Sequence, residues 1–208
     1  TVNNEVTAIS GLKQAKRLEL IDIRGFKKLT SLDLSEHPYI KEVRASKSGI
    51  SSILLAKGSP LNALSLPSTV TSLTLDQHSM LSYSNITFDD IRTIKSINVK
   101  DCPSVSNNFD FIYNWFSTKT TASNECSLVM NNVVWNDIDT AKLLSLKNLG
   151  TLKLKGRIKL VEVTPEQLSE IQEVFGNNVF NQSSELYIIA PPAVYLIGPS
   201  EVLEGSTH

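Results

Sequence analysis

Between Leu29 and Leu75 one arrangement of apolar residues, at i, i+3 and i+5, recurs five times without a gap. The copies are Leu29/Leu32/Leu34, Ile40/Val43/Ala45, Ile50/Ile53/Leu55, Leu61/Leu64/Leu66 and Val70/Leu73/Leu75. They begin 11, 10, 11 and 9 residues apart, and Leu18/Ile21/Ile23 adds a sixth copy 11 residues earlier. Apolar residues two apart share one face of a strand, whereas an amphipathic helix needs them at i, i+3, i+4 and i+7. An 11-residue interval leaves no room for a helix and its connections. The pattern therefore predicts short strands, two per turn, on opposite sides of a flattened solenoid. Leu32, Ile53 and Leu73 are expected to face inward on one side, and Ile21, Val43 and Leu64 on the other. Parallel strands in successive turns, about 4.7–4.9 Å apart, would stack these residues into an apolar column that no single turn could bury alone.

After Leu75 the rhythm loosens. The next copy is Ile94/Ile97/Val99, and residues 79–91 between them read as a loop with a helical turn at 89–92. Further strands are expected at Leu128/Met130, Leu152/Leu154 and Leu186/Ile188, making turns of 31, 24 and 34 residues from Ile97 onward. Each of these has room for a helix. Phe109, Ile112, Tyr113 and Phe116 mark one over 107–118, and Ile138, Ala141, Leu144 and Leu146 a second over 137–146. The third, Pro165–Phe175, has Thr164 as cap, Pro165 in its first position, Gln167 to complete a capping box and Gly176 as a left-handed stop. Residues 1–12 read as an irregular opening. Pro191 and Pro192 cannot donate to a sheet ladder, so the repeat domain is expected to span 1–189, with 190–208 a linker carrying a strand-like 194–197.

Composition narrows the functions. Twenty Lys plus Arg against 21 Asp plus Glu, for a net charge of −1, with no long block of either sign, removes the electrostatic argument for nucleic acid or an anionic membrane. No apolar run is long enough to span a membrane, and no basic and apolar signal region opens the chain. Two cysteines, Cys102 and Cys126, are too few for a disulfide framework or a four-cysteine zinc site.

The segments Leu29-Thr30-Ser31-Leu32-Asp33-Leu34-Ser35, Gly49-Ile50-Ser51-Ser52-Ile53 and Leu66-Pro67-Ser68-Thr69-Val70-Thr71-Ser72-Leu73 resemble the leucine-rich repeat proteins common in gut Bacteroidetes and their phages. The resemblance covers residues 18–189. It implies an α/β fold, a right-handed leucine-rich repeat solenoid with short two-stranded turns in its N-terminal half and strand–helix turns in its C-terminal half. It also implies a secreted, surface-attached or virion-associated recognition module. The tail, from Leu196-Ile197-Gly198 to Glu204-Gly205, resembles the first strand of a bacterial immunoglobulin-like domain. The chain departs from the family pattern at the asparagine position, filled here by His37, Ser48, Gly58, His78 and Cys102.

Candidate chemistry has a plainer reading at each position. His37 and His78 stand two turns apart, about 10 Å at strand spacing, so turn hydrogen bonding is expected rather than a metal site with ligands at about 2 Å. Cys102 suits packing, and neither cysteine has a base and an orienting group assigned to it. Trp115 and Trp135, with Tyr113 and Phe116, could form a platform for sugar, although helical spacing favours core contact. Asp89/Asp90 and Asp137/Asp139 sit near helix starts and complement the dipole. The expectation is thus a module that is no enzyme, with no cofactor and no metal, monomeric, and binding an unidentified protein or glycan. Its contact residues would be the outward positions on one sheet, Asp33, Leu54, Thr74, Asn98, Val129 and Lys153. The alternative is a structural spacer that presents an adjacent immunoglobulin-like domain.

Overall fold

Strict alternation of buried and exposed residues builds eleven strands, all in parallel pairs, in a computed structural model that describes residues 5–119 and 123–192. Strands β1 (Leu20–Asp22), β3 (Glu42–Arg44), β5 (Ala63–Leu66) and β7 (Ile86–Phe88) form one sheet, in which Ile21, Val43, Leu64 and Ile86 lie in register. Strands β2 (Ser31–Leu34) and β4 (Ser52–Leu55) form a second, pairing Leu32 with Ile53. The third runs β6 (Ser72–Asp76), β8 (Ser96–Lys100), β9 (Ser127–Ile138), β10 (Thr151–Leu160) and β11 (Leu186–Ile189). The fold is mixed α/β, and its core is the leucine and isoleucine column that includes Leu32, Leu34, Leu64, Leu66, Leu73, Leu75 and Ile97, each at most 2% exposed.

Several expectations are corrected. Residues 79–91 contain β7, whose Ile86-Thr87-Phe88 alternation pairs with Leu64-Ser65-Leu66. Outward positions expected on one sheet divide between two, because β4 and β6 do not pair. The break coincides with the shortest interval in the pattern, nine residues, and with Pro67, which has no N–H to donate. There the Thr69 hydroxyl, rather than a strand ladder, bonds the Ile50 carbonyl. At this break Ile53 and Leu55 are only half-buried, so Ile53 is not the fully enclosed residue its spacing suggests.

The helices occupy the longer intervals. α1 (Pro103–Ser106) is a short turn ahead of α2 (Phe109–Ser117), so the helix expected from 107 begins later, with Asn108 Oδ1 accepting the Phe111 N–H as its cap. α3 (Thr140–Ser145) is capped by Asp139, and residues 137–138, expected in that helix, end β9 or lie in it. α4 (Pro165–Phe175) carries the expected capping box between Thr164 and Gln167. Gly176 follows it at φ 103 and ψ 152, a positive φ outside the left-handed helical region. Trp115 and Trp135 are core residues, their indole N–H groups donating to the carbonyls of Ile94 (2.9 Å) and Ser106 (2.7 Å). That excludes both from a sugar platform.

β9 and β10 are long because each turns a corner. β9 bulges at Asn131 and Asn132, which grip Asp101, with Asn131 Oδ1 accepting the Asp101 N–H at 2.9 Å. On the β10 side the bend falls at Gly156 (φ 137), where a Cβ would lie 2.1 Å from the Val133 carbonyl oxygen. β11 then pairs with Gly156–Lys159, not with Leu152 and Leu154 as a repeat of the earlier pattern predicts. The strand expected at 194–197 lies outside the described residues.

Candidate functional site

In each strand of the second and third sheets the residue between two inward apolar side chains points outward. This places Asp33 beside Leu54 on the β2–β4 sheet, and Thr74, Asn98, Val129 and Lys153 in one register row across β6, β8, β9 and β10. Val129 is half-buried and the other five are exposed. A second outward row went unremarked in the sequence reading. Ser31 pairs with Ser52 on the small sheet, and Ser72, Ser96, Ser127 and Thr151 align across the large one. The signal was available as a hydroxyl residue immediately before each inward apolar one. It becomes a row only once the register is known.

The outward residues differ in how far the fold already uses them. Asp33 is engaged in its own turn, where the Ser35 hydroxyl (2.6 Å) and then the Ser35 N–H (3.0 Å) hold its carboxyl below the usual range. Thr74, Asn98 and Lys153 have no side-chain hydrogen bond or ion pair among the described residues. On the opposite sheet the outward charges satisfy one another. Arg24 is bound to Asp22 through two nitrogens, at 2.9 and 2.6 Å, and Arg44 reaches Glu42 at 2.6 Å.

The asparagine-position residues are internal. His37 Nε2 lies 2.9 Å from the Leu12 carbonyl, and His78 Nδ1 lies 3.2 Å from the Ser59 carbonyl and 3.3 Å from its hydroxyl. Burial pushes the His78 imidazolium to a lower pKa. Gly58, expected in this row, instead takes a positive φ of 70, and Ser59 is the buried residue one place later. Cys102 Sγ accepts the His78 N–H at 3.2 Å, and burial raises its thiol pKa, which opposes thiolate formation. Asp90 and Asp139 serve as helix caps. Asp89 accepts the N–H of Lys47, a residue at φ 60. Among the described residues no group of three or more His, Cys, Asp or Glu is placed to hold a metal ion, and no helix is long and apolar enough to cross a membrane. No protein-family model, curated protein or solved structure matches the chain.

Proposed function

We propose that this chain is a non-catalytic recognition module. In this reading it is a right-handed leucine-rich repeat solenoid belonging to an extracellular, cell-surface or virion protein, with residues 190–208 leading into an immunoglobulin-like domain. One observation carries it: Thr74, Asn98 and Lys153 form a single outward row whose polar groups the fold leaves unengaged. Such groups are available to a partner without breaking an internal bond. The self-neutralised face of Asp22, Arg24, Glu42 and Arg44 offers no comparable set. A protein partner is favoured over a glycan because the row's remaining member is Val129 and both tryptophans are buried, leaving no indole for a sugar to stack on.

The test is an array of proteins and glycans probed with the full chain, followed by Thr74→Arg and Asn98→Arg. The expected result is a ligand whose binding both substitutions abolish while the melting temperature stays unchanged. A ligand lost instead on Ser65→Arg, on the opposite sheet, overturns the assignment of the face.

A further inference from the structure

The large sheet ends in an unfilled position. β10 pairs with β9 through Thr151–Leu154 and again beyond the bend, whereas β11 pairs with β10 only from Gly156 to Lys159. Thr151 donates its N–H to the Cys126 carbonyl on the β9 side at 3.1 Å. Successive residues of a strand turn their backbone polar groups to opposite sides, so those of Leu152 and Leu154 point the other way, the side on which the Gly156 N–H meets the Glu185 carbonyl at 2.7 Å. Among the described residues no strand occupies that side of Leu152 and Leu154.

A groove of about 530 Å³ runs along this edge, between β10 and the end of α4, with Leu152, Val174, Val179 and Leu186 in its lining. A second hollow of about 560 Å³ shares Leu152 and Val174 and extends to Leu149. Lys153 and Lys155 also line the groove, and both are exposed. Lys155 is paired with Glu185 at 2.7 Å, and Lys153 has no ion pair among the described residues. Arg157 and Lys159 continue the same outward row, so one strand carries four cations at alternate positions.

We propose that an extended peptide of alternating apolar and acidic residues adds to this edge of β10 as a further strand. The inference rests on the recognition reading above and deepens it by naming the partner's chemistry. A strand in this position continues the pleat, so its alternate side chains face inward onto Leu152 and Val174 and outward beside Lys153 and Lys155. The backbone groups of Leu152 and Leu154 supply the ladder, and the side chains supply the selectivity. A polyanionic polysaccharide meets the cations but has no amide ladder to offer. A wholly acidic peptide would press carboxylates onto the apolar lining, at a desolvation cost.

The experiment is a fluorescence-anisotropy titration of the full chain with a labelled peptide of alternating valine and glutamate. Saturable binding is expected, weakened at least about tenfold by Lys153→Glu with Lys155→Glu. N-methylating one alternate set of peptide amides should abolish binding, while methylating the other set should leave it nearly intact, a readout that leaves the protein unaltered. Three results overturn the proposal: no binding of the valine–glutamate peptide, equal binding of a valine–lysine peptide, or equal tolerance of both N-methyl patterns. If the peptide fails while the array yields a ligand sensitive to Thr74→Arg, the edge proposal falls and the recognition reading stands. Peptide binding with a silent array supports the edge proposal and leaves the Thr74 row without a partner.

Discussion

From Leu20 to Phe88 the chain uses seven strands of three to five residues and no α-helix, whereas from Ser96 onward it uses four strands, two of them 12 and 10 residues long, with four helices between them. The interval between paired strands separates the two regions. In register, Ile21, Val43, Leu64 and Ile86 follow one another after 22, 21 and 22 residues. Ile97, Leu128 and Leu152 follow after 31 and 24, and Gly156 to Leu186 takes 30. A short interval is consumed by two strands and their turns, and aliphatic side chains alone fill the interior. A long one admits a helix on the returning side and then needs larger groups to fill the wider space. Trp115 and Trp135, with Phe109 at 4.9 Å from the Trp135 ring, supply them.

Breaking this contrast begins with the largest residue. Trp135→Ala should cost about 3–5 kcal/mol in urea unfolding, and hydrogen exchange should accelerate most in β8 to β11, since coupling in a stacked array runs through neighbours. Equal acceleration in β1 to β4 would show that the two regions are one cooperative unit.

Gly156→Ala is expected next, at about 1–3 kcal/mol for the strained backbone alone and more for the overlap with Val133. Gly176→Ala shares a positive φ but meets nothing within 4 Å, so it should be the milder of the two by thermal denaturation. Equal losses would mean that the corner between the two halves of β10 can relax.

The sheet break sharpens the comparison within the first region. Leu32→Ala, at a position 2% exposed, should cost about 2–5 kcal/mol, and Ile53→Ala, half-buried beside the break, measurably less. An Ile53→Ala loss as large as that of Leu32→Ala would indicate that β4 and β6 close up in solution.

The smallest effect is with pH. Burial lowers the pKa of His78, so above the unfolded value near 6.5 the side chain is neutral in both states and costs nothing. As pH falls through 6.5 the unfolded chain takes up a proton that the folded protein resists, and stability declines. Melting temperature should fall between pH 7 and pH 5 more steeply in the unaltered protein than in His78→Gln; identical slopes would refute the assignment.

Much of the first region was legible because a half-buried strand writes its orientation into alternate residues. The pairs Leu32/Leu34 and Leu64/Leu66 suffice to place the inward face, and Asp33 and Thr74 follow as outward residues. α4 was legible for a different reason. Thr164, Pro165 and Gln167 act within one turn of each other, so their effect needs no tertiary context. β7 was missed because Ile86-Thr87-Phe88 is too short to declare a period, and it becomes a strand only where β5 offers it an edge. The hydroxyl row was visible as residue types but not as a surface.

By itself the sequence determined which residues are inward, that neighbouring strands must be parallel given such short connections, and where the capped helix lies, because each depends on contacts over a few residues or on a repeated spacing. Only the tertiary structure decided where the sheet stops and which edge the next strand takes. The missing β4–β6 ladder, the corner at Gly156 against Val133, and the pairing of β11 with Gly156–Lys159 are outcomes of competition between backbone groups far apart in the chain. Nothing local in the chain records which distant partner a strand edge will meet, and so the open edge at Leu152 and Leu154 could not be read before the strands were placed.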